Sequence, residues 1–229
     1  MNKDAISSTR PVNRTDEDPF TLQKSHLEYR QPDYLKPNRM SSYGHQYRLA
    51  LEANMESYLN VGSASSLLAF LLSKQGKFIV DLDIDVETQP VLSARIPDLP
   101  FRSKSFDVVM CFQVLEHLPF TLFSICLLEL SRVARRQVIL SLPDMTQSSV
   151  EKMKYNVYKF LKHPREWKNY KPRSIDPEHF WEIGCEDIGM SDIISFFQKV
   201  NLTVLEDFRN ELNPYHHFFV LETREQCEY

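Results

Sequence analysis

Glycine is scarce in this chain of 229 residues, which carries only 5, about a third of the usual share. Two of them, Gly62 and Gly76, fall close together, so glycine is placed rather than scattered. Long apolar runs are also missing: a stretch such as 67–72 is far too short to span a bilayer. The first 18 residues are polar and hold no apolar signal region, which predicts a cytoplasmic protein without a signal peptide. Charge of one sign is absent as well. The net charge of −4 and a pI of 6.0 give no global attraction to nucleic acid. Cysteines number four, Cys111, Cys126, Cys185 and Cys227, without metal spacing. Two sit in apolar runs and read as buried free thiols of a reducing compartment. What remains is ordinary: 42% hydrophobic and 25% charged residues, enough for one sizeable core and most simply one large domain.

Residues 1–42 are polar and broken by Pro11, Pro19, Pro32 and Pro37, the mark of an N-terminal arm. Helical spacing of Tyr47, Ala50, Leu51, Met55 and Tyr58 predicts a helix over 43–58. Strands are expected at 57–62, 77–82, 91–96, 106–112 and 137–142, with helices at 65–74 and 120–133 between them. That alternation implies parallel pairing with helices on both faces. The rhythm breaks at about 144–190, which reads as a lid-like insertion over the carboxyl edge of the sheet. It returns with a helix at 191–200 and strands at 202–208 and 217–222, the last two expected to pair antiparallel at a sheet edge. Residues 43–229 thus form a single domain.

Chemistry concentrates where the first strand turns into a helix. Tyr58 to Leu68 runs strand, small-residue turn, helix start, which lets backbone N–H groups approach a ligand. Asp83 lies at the tip of the second strand, 21 residues after Gly62, placed to accept bonds from two ribose hydroxyls.

The string LPFRSKSFDVVMCFQVLEHLP at 99–119 resembles the class I S-adenosylmethionine-dependent methyltransferases, in particular the group with a methyltransferase type 11 core. The resemblance runs from about Tyr58 to Pro143. It continues more weakly through Glu129–Val133, Ser141–Pro143, His179–Ile183 and Asn213–Phe219. It implies a Rossmann-like α/β fold, a seven-stranded mostly parallel sheet with the last strand antiparallel, and S-adenosyl-L-methionine as cofactor. Carried over residue by residue, it implies cofactor contacts from Asn60, Gly62, Ser63, Ala64, Asp83, Ile84, Ile96, Gln113 and Val114. Three departures stand out. Asn60 occupies the position of an acidic residue, Ala64 and Ser66 replace two glycines, and Arg95 lies beside Ile96 where an Asp near the adenine is common. The connection from Asp85 to Val91 is also too short for the helix that many members have there.

A sulfonium methyl is already activated, so transfer needs mainly alignment, which supplies on the order of 7–11 kcal/mol; a base is optional. Glu116 and His117 follow the 106–112 strand where acceptor and methyl should meet, and are the candidate catalytic pair. His117 could equally cap a helix or pin a loop. His179 reads as packing. Of His216 and His217, alternation predicts that only one points inward, and no third ligand is spaced to make them a metal site. Residues 151–173 hold eight Lys or Arg against two Glu, with five aromatics interleaved. This is a solvated helix face or a basic lip for an anionic acceptor or a membrane surface. The reading is a methyltransferase for a small-molecule or glycan-type acceptor. The alternative is a catalytically silent relative with a degenerate cofactor loop. A nicotinamide oxidoreductase fits less well, since Gly-x-Gly-x-x-Gly is absent.

Overall fold

An apolar run without alternation can only be a strand covered on both faces, and Phe106–Phe112 is one. The computed structural model describes residues 32–146, 175–176, 178–185 and 187–224. Its strands are β1 (Ser57–Val61), β2 (Phe78–Asp83), β3 (Leu92–Ser93), β4 (Phe106–Phe112), β5 (Ala134–Pro143), β6 (Leu202–Arg209) and β7 (His216–Thr223). They form one sheet in the order β3-β2-β1-β4-β5-β7-β6. The first five pair in parallel, while β7 runs antiparallel to both β5 and β6. The described helices are α1 (Pro37–Ala53), α2 (Leu67–Lys74), α3 (Phe123–Val133) and α4 (Met190–Lys199).

The two sides of β4 separate two cores. Val109 and Cys111 face a cluster built with α3, α4, Trp181 and Ile183. Val108, Met110 and Phe112 face another, built with α1 and α2. Each buried Leu, Val or Phe contributes about 1.5–3 kcal/mol, so this strand cannot accept a polar residue at any of those positions. Two of the thiols belong to this core. Burial pushes Cys126 up to about 12 and Cys111 well above the ordinary thiol value, which leaves both inert.

Several expected boundaries move. The helix predicted over 43–58 is Pro37–Ala53, because Pro37 suits the first helical turn and Asn54 ends the helix in a left-handed conformation at φ +49°. Tyr58, whose spacing seemed helical, is in β1 and its Oη donates back to the Ala50 carbonyl at 2.9 Å. The strand expected at 91–96 shrinks to two residues, since Val91 is 74% exposed and packs nothing. No helix separates β2 from β3, only a tight turn at Val86–Thr88.

The ends of the described chain meet. Ser41 Oγ donates to Asn210 Oδ1 at 2.8 Å, and Asn210 Nδ2 donates to Ser42 Oγ at 2.9 Å, so α1 is tied to the β6–β7 connection. Of the expected insertion, residues 144–146, 175–176, 178–185 and 187–190 are described. Phe180 N–H donates to the Glu116 carbonyl at 2.8 Å and Trp181 Nε1–H to the Leu118 carbonyl at 3.0 Å, which fixes that segment beside the carboxyl end of β4. The basic stretch 151–173 lies outside the described residues.

Candidate active site at the carboxyl edge

The carboxyl ends of β1, β2 and β4 converge on a cavity of about 230 Å³. Its first wall is the turn after β1. Gly62 has φ +75°, and a Cβ there would come within 2.3 Å of Val114 Cγ2, so glycine is required by both the backbone and the crossing chain. The positions two and four residues later keep the same left-handed path without glycine: Ala64 at φ +48° and Ser66 at φ +53°. Gly62 and Ser63 N–H groups donate to the Leu82 carbonyl, and Ala64 N–H donates to Asp83 Oδ2 at 2.9 Å. The turn is thus stapled to the end of β2.

Asp83 is buried, with Oδ1 accepting from Asp85 N–H at 2.9 Å. Burial pushes its carboxyl above the ordinary range, and the Asp85 charge adds to this against the backbone bonds. Beside it, Asn60 and Asp81 are register partners on β1 and β2, and Asn60 Nδ2 donates to Asp81 Oδ1 at 2.9 Å. Burial likewise pushes Asp81 up, opposed by bonds from Ser66 and Asn60. An acid at position 60 would face this buried carboxylate directly, which accounts for the amide.

The residues named as cofactor contacts or as the catalytic pair all line this one cavity: Asn60, Gly62, Ser63, Ala64, Asp83, Ile84, Ile96, Gln113, Val114, Glu116 and His117. Sequence reasoning missed part of the wall. Tyr34, Arg39, Ser42, Tyr43 and Gln46 come from α1 and the turn before it, and Asp176, His179 and His216 complete the rim. The stretch read as an arm therefore contributes from Tyr34 onward. The signal available was Pro37, a helix-start residue just ahead of the apolar spacing.

At the far end Glu116, fully buried, and His117 sit on a tight turn, Leu115–His117. The His117 ring packs edge-on against His179, with centroids 4.9 Å apart. His117 Nδ1 hydrogen-bonds the Glu178 carbonyl at 3.1 Å, so this histidine both pins the 175–185 segment and lines the cavity. His179 Nδ1 lies 2.9 Å from Glu182 Oε1, which also accepts from Tyr215 Oη and from Asp176 N–H at 3.0 Å. Burial works against charging His179, yet Glu182, with Glu116 and Asp176 nearby, holds its pKa above the usual histidine value. His179 is thus more than packing. His216 and His217 also depart from the sequence reading, since both are buried. β7 is paired on both edges, by β5 and β6, and its residues are buried on both faces of the sheet at its start. His216 lines the cavity, while His217 stacks on Phe219 at 4.5 Å and bonds Asp144 and Asp207.

The family model for the methyltransferase domain matches residues 59–142. The fold around that domain is the Rossmann-like fold of the S-adenosylmethionine-dependent methyltransferases. Among similar solved structures is magnesium protoporphyrin IX methyltransferase from Synechocystis with bound S-adenosylhomocysteine. It shares 13% identity at a TM-score of 0.60, with 82% of this chain and 84% of that one covered. A methyltransferase from Aquifex aeolicus matches at 12% identity and TM-score 0.57, covering 88% and 100%. The 1,6-didemethyltoxoflavin-N1-methyltransferase of Burkholderia thailandensis matches at 8% identity and TM-score 0.59, covering 88% and 84%. At such identities the likeness shows the fold alone. No curated protein matches the sequence significantly. The Synechocystis enzyme is crystallised with S-adenosylmethionine as well as with S-adenosylhomocysteine, and two features of the present cavity suit such a ligand: a turn whose Gly62 leaves no room for a Cβ, and a buried Ser63 Oγ that makes no hydrogen bond among the described residues.

Proposed function

We propose that the protein methylates a small-molecule or glycan-type acceptor held at the Glu116–His117 end of the cavity. The supporting observation is that the residues from both ends, Asp83 and Glu116 included, line one continuous cavity. In this reading the carboxylate of Asp83, already fixed by two backbone N–H groups, accepts the ribose hydroxyls, and Asn60 and the turn 62–64 hold the methionine part. Ile84, Ile96, Gln113 and Val114 enclose the adenine and the methionine chain. S-adenosylmethionine supplies an activated methyl group, and alignment accounts for most of the rate. Glu116 and His117 orient the acceptor, and either can receive its proton. Arg39 and Arg95 on the wall, together with the basic run at 151–173, favour an acceptor bearing negative charge.

A silent relative is the reading that Ala64 and Ser66 suggest in the sequence. Their left-handed backbone counts against it, because the loop follows a glycine path despite two Cβ atoms. Calorimetry with S-adenosylhomocysteine separates the two. The intact chain should bind, and Asp83→Ala should weaken binding about 10–100-fold, the worth of one charge-assisted hydrogen bond or more. Undetectable binding by the intact chain would establish the silent relative. Unchanged affinity in Asp83→Ala would move the ribose to another acid.

A further inference from the structure

The acceptor end gathers three metal-ligand side chains that nothing in the sequence brings together. Glu116 and His117 sit on the turn after β4, and His179 arrives from a segment more than sixty residues later. One ligand atom from each lies within 4.8 Å of the other two. The placement is held by backbone: Phe180 N–H on the Glu116 carbonyl and Trp181 Nε1–H on the Leu118 carbonyl clamp the two segments together on either side of the trio.

The partners of the two rings decide what the trio is suited to. His117 Nδ1 is 3.1 Å from a backbone carbonyl, which can only accept, so Nδ1 carries the proton and Nε2 is the ring's lone-pair nitrogen. His179 Nδ1 is 2.9 Å from the Glu182 carboxylate, with the same consequence. A carbonyl or carboxylate behind each imidazole is the arrangement that orients histidines as metal ligands. The ring centroids are 4.9 Å apart, a spacing at which one ion can be shared by both imidazoles and the buried Glu116 carboxylate. We propose that Glu116, His117 and His179 form a binding site for a divalent transition-metal ion of the zinc class. Two imidazoles and one carboxylate suit such an ion, and three protein ligands leave a position open. All three residues line the cavity, so the ion selects acceptors with an oxygen, nitrogen or sulfur donor and lowers the pKa of that donor's proton, and with the ion bound Glu116 and His117 act on the acceptor through it rather than by receiving its proton. This role rests on the acceptor lying at this end, as proposed above; the site itself does not.

The test uses the full chain and the metal alone. Metal-stripped protein is titrated with Co²⁺ and followed by its visible ligand-field absorption, then back-titrated with Zn²⁺, with S-adenosylhomocysteine calorimetry run in parallel as a measure of fold and cofactor site. The expected result is one Co²⁺ per chain with an intense band that Zn²⁺ removes. The band should be lost in Glu116→Gln, His117→Gln and His179→Gln while S-adenosylhomocysteine still binds. Glu182→Gln should weaken the affinity about 10–100-fold without changing the stoichiometry. Absence of the band in intact chain that binds S-adenosylhomocysteine overturns the metal site and leaves the cofactor reading standing. A band that survives all three ligand substitutions overturns it too, since the ion is then held elsewhere. A band in chain that fails to bind S-adenosylhomocysteine supports the metal site while refuting the cofactor assignments.

Discussion

Within the turn after β1, adjacent positions respond to substitution in opposite directions. Gly62→Ala forces a Cβ onto Val114 Cγ2 and a left-handed φ onto an L residue, a cost of about 1–3 kcal/mol, and should displace the wall of the cavity. Adding Val114→Ala should recover the steric part and leave the backbone part, which a double-mutant cycle by urea denaturation resolves. Ala64→Gly relieves the strain at φ +48°, partly offset by the greater freedom of glycine in the unfolded chain. A gain of up to about 1 kcal/mol is expected. At Asn60 the prediction depends on pH. Asn60→Asp places a second carboxylate against Asp81, whose carboxyl burial already raises. The folded state then binds a proton more tightly than the unfolded one, so the loss of stability is full near neutrality and shrinks as pH falls toward the unfolded carboxyl pKa of ~4. Denaturation of the variant and the parent at pH 7 and pH 4.5 checks this. The identity of the loop residues was plain in the sequence. Their left-handed backbone was not, because neither Ala nor Ser advertises it, and neither was Asp81, which the register alone places beside Asn60.

Among the elements, β4 was legible to the residue, because an unbroken apolar run has one reading. β3 was not, since its apolar letters are exposed and its two-residue pairing carries no period. The histidine pair at the head of β7 misled for a related reason: alternation predicts opposite faces, but not that both faces are covered. His217 belongs to a buried network, with Asp144 Oδ2 accepting from Arg209 at 2.5 Å and bonded by His217 Nδ1 at 2.8 Å. That network joins the end of β5 to β6 and β7. Burial works to raise the Asp144 carboxyl, but His217, Thr146 and the Arg209 charge together hold it below the usual range. A depressed carboxyl stabilises above the unfolded pKa and loses that contribution as pH falls through the folded value. Asp144→Asn should therefore cost about 3–5 kcal/mol above pH 5, with the difference from the parent vanishing under strongly acidic conditions. Denaturant midpoints measured across that range decide it.

For the molecule as a whole, α/β order and strand direction followed from the alternation of elements, whereas the far wall of the cavity was legible only in Glu116 and His117. Asp176, His179 and His216 line it too, and only folding makes them neighbours of that pair. Among the described residues no helix is long and apolar enough to cross a membrane. Two measurements report on the global state. S-adenosylhomocysteine at 100 times its Kd should stabilise the fold by about 2.7 kcal/mol, a rise in Tm of about 5–10 °C for a chain of this size. Cys111 and Cys126 should resist alkylation in the native protein and react only on unfolding, read by mass spectrometry of the peptides; labelling of either in native conditions would show that the core opens locally.

The hydrogen bond between Ser42 and Asn210 spans 168 residues, and this separation matters during synthesis. At about 5–20 residues per second, the ribosome takes roughly 10–30 s to deliver Asn210 after Ser42. Through that interval α1 has left the exit tunnel without the partner that anchors its N-terminal turns, and the wall of the cavity that Arg39 and Tyr43 supply is unfinished. A stalled chain ending before β6 therefore holds the glycine turn and Asp83 in an incomplete pocket.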